Sequence, residues 1–183
     1  DLAKAKALLA KAGAADGFTM SLDVMSTSPY REIAQSLQST FAQVGVKLDL
    51  KMAEPSQVMT RYRARQHDMV LFVWSPDYSD PSSTLEFFTR NSDNAPTSSL
   101  KNAPWRANWL IPQLTKQAES ARHELDNTKR LKIYTDLQRS LRDDSPFAFI
   151  VQKIEPIATR ANVQNYKGAI TFDSTAYQVI DKK

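Results

Sequence analysis

One short segment combines carboxylates, aromatic rings and prolines directly after an apolar run. From Trp74 to Pro81 it reads Trp-Ser-Pro-Asp-Tyr-Ser-Asp-Pro. Prolines restrict the backbone, aromatic rings supply flat apolar walls, and a carboxylate can accept hydrogen bonds from a ligand ammonium. The segment therefore predicts ligand contacts by Trp74, Asp77, Tyr78 and Asp80. The alternative is a rigid turn in which the Asp side chains bond to their own backbone, and the spacing alone favours neither interpretation.

A second candidate group follows a polar stretch later in the chain. Trp105 and Trp109 flank Arg106, and both residue types are frequent at binding hot spots. We expect Trp105 and Arg106 to contact the ligand. Because residues four apart share a helix face, the two Trp rings also fit a packed core. Stacking on nucleic-acid bases is a third interpretation.

Composition excludes several kinds of chemistry. The 183 residues include no Cys and only 4 Gly, which removes disulfides, thiol nucleophiles, Fe–S clusters and a Gly-rich phosphate loop. His67 and His123 lie in polar stretches without the spacing of a metal site or a catalytic pair. We therefore expect no catalytic residue, no metal and no cofactor. The alternative is a stand-alone α/β enzyme that uses Asp77 and Asp80 as acid and base.

The charge balance gives little support to nucleic-acid binding. There are 24 basic and 20 acidic residues, a net charge of +4, and Arg61, Arg63 and Arg65 form a close basic set. On a helix such a set is usually a solvated face. We expect no nucleic-acid partner and keep a weak nucleic-acid-binding module as an alternative. No apolar stretch approaches the roughly 20 residues that a membrane-spanning helix needs.

The order of elements predicts an α/β fold. Alternating residues predict half-buried strands over 18–24 and 46–52, and the continuous apolar run 69–74 predicts a central strand buried on both faces. Helical periodicity lies between them, and such alternation is typical of a mostly parallel sheet flanked by helices. Ligands bind beyond the carboxyl ends of such strands, and Asp77 follows the third strand.

The second half has a different pattern. Helices are predicted over 111–125 and 127–143, and strands over 146–153 and 157–160. The tail over 161–183 has no regular pattern.

Several short motifs, taken in order, carry a family resemblance. They are Ala-Lys-Ala-Leu-Leu-Ala-Lys-Ala-Gly over 5–13, Val-Gly-Val-Lys over 44–47, Asp-Met-Val-Leu-Phe-Val-Trp over 68–74 with Asp77 and Asp80-Pro81, and the late pattern of Arg130, Tyr134, Gln138 and Pro146. The chain resembles, over essentially its whole length, the periplasmic solute-binding proteins of dipeptide/oligopeptide ABC transporters, known as solute-binding family 5.

The resemblance implies a periplasmic-binding-protein-like lobe. Members of this family have two lobes around a ligand cleft, so residues 1–160 are expected to form the second, ligand-binding lobe. Residues 161–183 are expected to form a C-terminal tail that returns toward the hinge or first lobe. In peptide-binding relatives, the Asp three residues after the Trp holds the terminal ammonium of the ligand. That position is Asp77 here, with Trp74 as its neighbour.

The resemblance also implies a function and partners. We expect a periplasmic, non-enzymatic component of an ABC importer that captures a peptide or a related amine-bearing solute. Its partners would be the ligand, the first lobe of the same protein, which this fragment lacks, and an inner-membrane permease. Dipeptide binders carry an Arg in the loop before the long helix, whereas residues 26–29 hold none and Arg31 lies inside the helix. The ligand class therefore stays open among peptides, opines, sugars and chelates.

Overall fold

Two units make up the chain, Asp1–Trp74 and Ser75–Lys183. The computed structural model describes residues 1–152, 154, 156–168 and 177–182. Among these residues, no helix is both long enough and apolar enough to cross a membrane. The expected division into a lobe over 1–160 and a tail from 161 stays a prediction.

The first unit is built on three parallel strands. Its elements are helix α1 (Leu2–Lys11), strand β1 (Phe18–Met25), helix α2 (Tyr30–Ala42), strand β2 (Val46–Ala53), helix α3 (Pro55–Arg63) and strand β3 (Met69–Leu71). The sheet order is β2-β1-β3, with Phe18 opposite Val46 and Leu22 opposite Met69. The predicted α/β class, a parallel sheet with helices against it, is confirmed.

Strand β1, and not the apolar run 69–74, is the central strand of this sheet. β3 includes only Met69–Leu71, pairs with β1 alone among the described strands, and is half-buried. The prediction of a central third strand was therefore wrong. The physical reason is that a helix covers part of the run, since the Phe72 ring lies 4.8 Å from the ring of Tyr62 on α3. An apolar run shows that its side chains are covered but does not show what covers them.

Strand β1 is covered on both faces. Leu22 and Val24 pack against Ala34 of α2. On the other face, Ser21 and Asp23 are also buried. Alternation thus assigned the residues to the correct faces, but the prediction of a half-buried strand was wrong, because the polar face is also covered.

The buried polar groups of β1 are paired with residues of α3 and of the turn before β3. The backbone N–H and the hydroxyl of Ser21 both donate to Oδ2 of Asp68, at 2.9 and 2.7 Å. The Asp23 carboxylate, which is 1% exposed, forms an ion pair with Arg61 of α3. Charge-assisted hydrogen bonds therefore offset part of the cost of burying these groups.

Two glycines meet where β1 and β2 begin. Gly17 and Gly45 have φ angles of +75° and +85°, in the left-handed region that side chains disfavour. A Cβ atom on Gly17 would overlap the carbonyl oxygen of Gly45. The two strands can therefore begin side by side only because residue 17 has no side chain.

The second unit is mainly helical. Its elements are helices α4 (Pro81–Thr89), α5 (Ala103–Arg106), α6 (Pro112–His123) and α7 (Asn127–Asp143), strand β4 (Val163–Gln164), a 3₁₀ turn (Tyr177–Val179) and strand β5 (Asp181–Lys182). β4 and β5 are antiparallel. Buried apolar side chains from the four helices form the core, among them Leu85, Phe88, Trp105, Ala118, Tyr134 and Leu137. The two predicted long helices are present at α6 and α7.

The strands predicted over 146–153 and 157–160 were wrong for the residues that the structure describes there. Phe147 packs edge-on against Phe88, with ring centroids 5.3 Å apart, while Phe149 and Ile150 are 62% and 48% exposed. Alternation predicts a strand only where another strand is present to share its hydrogen bonds. In the described second unit, strand pairing occurs instead between β4 and β5, in the tail predicted to be irregular.

Candidate functional site

The predicted carboxylate loop leads into the N-terminus of α4. Asp80 is the N-cap residue, and its carboxylate accepts a hydrogen bond from the Ser82 backbone N–H at 2.9 Å. The Asp77 backbone N–H donates to the Ser83 hydroxyl at 3.0 Å. The Tyr78 and Ser82 hydroxyls lie 3.2 Å apart. The loop is thus folded back onto the first turn of the helix.

The two carboxylates of this loop have different surroundings. The Asp77 side chain is exposed, and among the described residues no hydrogen bond or ion pair to its carboxylate is found. The Asp80 carboxylate is two-thirds covered and binds Arg130 of α7 as well as the helix N-terminus. The Asp77 carboxylate is therefore the more accessible of the two, whereas Oδ1 of Asp80 already accepts from Arg130 and from the Ser82 backbone.

Arg130 joins the loop to the core of the second unit. Its guanidinium donates to Asp80 and lies 5.0 Å from the centre of the Tyr134 ring, which is 1% exposed. Burial raises the pKa of Asp80, but hydrogen bonds from Ser82 and Arg130 outweigh burial and hold the pKa below its usual value. The hydrogen bond to Asp80 in turn raises the pKa of Arg130. Both groups are therefore charged at neutral pH.

Trp105 and Arg106 lie on α5 and pack farther along α4. Trp105 is 5% exposed, and its indole N–H donates to the Ala95 carbonyl at 3.0 Å. The Arg106 guanidinium lies 5.6 Å from the centre of the Phe87 ring. Phe87 is seven residues after Asp80, which corresponds to about 10 Å along a helix axis. The structure thus brings Asp77, Tyr78 and Asp80 together and places Arg106 nearer the other end of α4.

The features that favoured nucleic-acid binding have other roles in this structure. Helix α5 ends at Arg106, and Asn108 has a φ of +55°, so Trp105 and Trp109 do not share one helix face. Trp109 packs edge-on against Phe147, with centroids 5.9 Å apart. Arg61, from the basic set on α3, is paired with Asp23. These contacts account for the two Trp rings and for Arg61, and the expected absence of a nucleic-acid partner stays a prediction.

Comparison with known proteins identifies the family. Residues 1–96 match the family described as bacterial extracellular solute-binding proteins, family 5, middle. The chain belongs to this family. Members are solute-binding proteins and not enzymes, so the acid–base alternative built on Asp77 and Asp80 is not supported.

Individual family 5 relatives agree with this assignment. The chain is 30% identical over 172 residues to di/tripeptide-binding protein 2 of Pseudomonas aeruginosa, a match that covers 91% of this chain and 31% of the relative. The chain thus spans about a third of the length of the curated relatives it matches. HbpA2 from Haemophilus parasuis superimposes with a TM-score of 0.74 at 24% identity, over 100% of this chain and 36% of that one.

A second solved structure contains a peptide. It is the ABC transporter-associated periplasmic binding protein DppA from Helicobacter pylori, in complex with the peptide STSA. It matches with a TM-score of 0.66 at 25% identity, over 77% of this chain and 27% of that one. The periplasmic-binding-protein-like fold expected from the sequence is therefore confirmed.

Among the described residues, no group of three or more His, Cys, Asp or Glu residues could hold a metal ion. Burial lowers the pKa of His67, whose ring lies 5.4 Å from that of Tyr62.

Trp74, which the sequence predicts to contact the ligand, is the last residue of the first unit and is half-buried.

Sequence reasoning missed the residues that hold the loop in place. The sequence points to Arg130 and Tyr134 only through the family 5 pattern, and no pattern indicates Ser82 or Ser83. One signal was available, because residues four apart share a helix face and a cation on that face can lie over the ring. The partner, Asp80, is 50 residues earlier in the chain, so no local pattern indicates the pair.

Proposed function

We propose that this chain is the ligand-binding second lobe of a longer, two-lobed solute-binding protein of an ABC importer. It would capture peptides or a related small amine-bearing solute in the periplasm and deliver it to an inner-membrane permease. Support comes from the family 5 match, from the di/tripeptide-binding relatives, and from coverage of about a third of their length. The part of the longer protein that this chain does not include would form the first lobe.

The observation that carries this proposal is the exposed Asp77 carboxylate on a loop held by α4. The backbone of Asp77 is fixed by Ser83, while its side chain is exposed and has no partner among the described residues. A ligand ammonium would supply the missing donors. A net contribution of about 1.5–3 kcal/mol is typical of a hydrogen bond to a charged group.

The other candidate residues divide by what they already contact. We propose that Tyr78 contacts the ligand beside Asp77 as an apolar wall, and ligand contact by Trp74 stays a prediction. Asp80 would act by fixing the loop, because its carboxylate is bound to Arg130 and Ser82. Ligand contact by Trp105 and Arg106 stays a prediction, and in this structure one is buried and the other lies over Phe87.

Ligand capture would require both lobes. Closure of two lobes is favoured only by a ligand that contacts both of them, because equal affinity for open and closed forms shifts no population. The isolated chain should therefore bind weakly or not at all. The closed conformation, with the ligand bound between the lobes, would then dock on the permease.

The test uses the full-length parent protein and calorimetric titration with an equimolar pool of dipeptides. Asp77→Asn should weaken binding by roughly 10- to 100-fold, because each 1.4 kcal/mol corresponds to a factor of ten. N-acetylation of the pool should weaken binding to the unsubstituted protein similarly and add little in Asp77→Asn. Asp49→Asn, an exposed carboxylate of β2, is the matched control. Equal affinities for Asp77→Asn and the control, or no binding of the pool, would overturn the proposal.

A further inference from the structure

We propose that Arg130 is a positioning residue for ligand recognition, acting through Asp80 and the first turn of α4 on the Asp77 carboxylate. The inference rests on the proposed role of Asp77 as the acceptor for the ligand's amine. It adds a residue on α7 that makes no contact with the ligand itself.

The first step is the anchor for Arg130. The Tyr134 ring below its guanidinium is 1% exposed, and Leu137 and Leu141 of α7 are also buried. Helix α7 is therefore fixed in the core of the second unit. With its own side chain only 22% exposed, Arg130 is held on a packed surface. Such a guanidinium can hold a partner in one position.

The second step is the position of Asp80 between two helices. Its carboxylate accepts from Arg130 of α7 and from the Ser82 backbone N–H of α4. Its backbone N–H donates to the Tyr78 carbonyl at 2.9 Å, and its carbonyl accepts from the Ser83 N–H at 3.1 Å. Asp80 thus links α7, the start of α4 and the preceding loop. Without Arg130, the hydrogen bond of the helix cap is the one that its carboxylate would keep among the described residues.

The third step leads from α4 to Asp77. The Ser83 hydroxyl accepts from the Asp77 backbone N–H, and the Ser82 hydroxyl lies 3.2 Å from that of Tyr78. A shift of the first turn of α4 would therefore move the backbone that carries the Asp77 side chain. Binding to a loop that is not already ordered costs free energy, since the loop must be ordered on binding.

The sign of the effect distinguishes positioning from simple electrostatics. Arg130 is a cation near the site, so its removal would strengthen the binding of an ammonium if only Coulomb forces acted. Positioning predicts the opposite, because loss of Arg130 releases Asp80 and loosens the loop. Arg130→Lys keeps the charge but not the planar fork of the guanidinium. Its affinity for the ligand should therefore lie between that of the unsubstituted protein and that of a variant without a cation at this position.

The experiment is a double-mutant cycle in the full-length parent protein, titrated with the same pool of free dipeptides. Arg130→Gln should weaken binding roughly three- to tenfold, the scale of re-ordering a side chain on binding. It should add no further weakening in an Asp77→Asn background, whereas a merely structural role would weaken binding in both backgrounds. Arg142→Gln is the matched control, since Arg142 lies near the end of the same helix, 73% exposed and paired with Asp143.

The outcomes separate this inference from the proposed function. Weakened binding in Asp77→Asn, with Arg130→Gln equal to Arg142→Gln, would overturn the role of Arg130 alone. Tighter binding in Arg130→Gln, or equal weakening in both backgrounds, would also overturn it. Unchanged binding in Asp77→Asn would overturn both proposals. If Arg130→Gln is unfolded at the assay temperature by its melting curve, Arg130→Lys is judged by the same criteria.

Discussion

Replacement of Arg61 by Met should destabilise the chain much more than replacement of its partner Asp23 by Asn. The two side chains form an ion pair between α3 and β1, in which Asp23 is 1% exposed and Arg61 31% exposed. Within the described residues, Oδ2 of Asp23 is buried and has no hydrogen-bond partner. Asp23 therefore depends on Arg61 for its compensation, whereas Arg61 has partial access to water.

The magnitude follows from which charge is left unpaired. Removal of one partner from a buried ion pair typically costs 3–5 kcal/mol, because the remaining charge is uncompensated. Since water reaches Arg61, we expect about 3 kcal/mol for Arg61→Met, near the lower end. Asp23→Asn leaves no buried charge, and the Asn oxygen can still accept from Arg61, so we expect about 1 kcal/mol.

Urea denaturation of the full chain, followed by circular dichroism, measures both free energies of unfolding. Arg63→Met is the matched control, because Arg63 is exposed on the same helix and its loss should change stability by about 0.5 kcal/mol or less. An Asp23→Asn cost equal to or above that of Arg61→Met would refute the reasoning. So would an Arg61→Met variant as stable as the control.

Two further predictions concern the first unit. Gly17→Ala should destabilise more than Gly13→Ala by about 1–3 kcal/mol in the same urea assay, because both positions have positive φ but only a Cβ on Gly17 meets backbone; equal losses would contradict the close approach to Gly45. Hydrogen bonds from the Ser21 hydroxyl and backbone lower the pKa of Asp68, so they contribute stability above the unfolded pKa of about 3.9 that is lost as pH falls through the lower folded value. Ser21→Ala should therefore reduce the loss of stability as the pH falls below about 4, and an unchanged acid profile of the urea midpoint would contradict this.

The elements of the first unit could be predicted from sequence because local patterns determine them. Alternation gives the strands that contain Leu22 and Leu48, and the chain order of strands and helices predicts parallel pairing. The order of strands in the sheet could not be predicted in this way. It depends on which strand has partners on both sides, and Asp68 and Arg61, which pair with β1, are distant in sequence.

The candidate loop could be located but not resolved into roles. Its composition indicated a stiff acidic turn that includes both Asp77 and Asp80. Asp80, and not Asp77, is the carboxylate that binds another part of the fold. Its partner Arg130 is 50 residues away in sequence and lies beside it only in the folded chain. Trp105 shows the same limit, because its type suggests a binding surface while its indole N–H is bonded inside the second unit.

The most direct test of the proposed function is a crystal structure of the full-length protein with a bound dipeptide. We predict that the ligand's terminal nitrogen lies about 2.8 Å from an Asp77 carboxylate oxygen, the distance typical of a charge-assisted hydrogen bond. We also predict that Asp80 in the same structure binds Arg130 and not the ligand. A ligand amine held by another acidic residue, with Asp77 directed to solvent, would contradict the proposal.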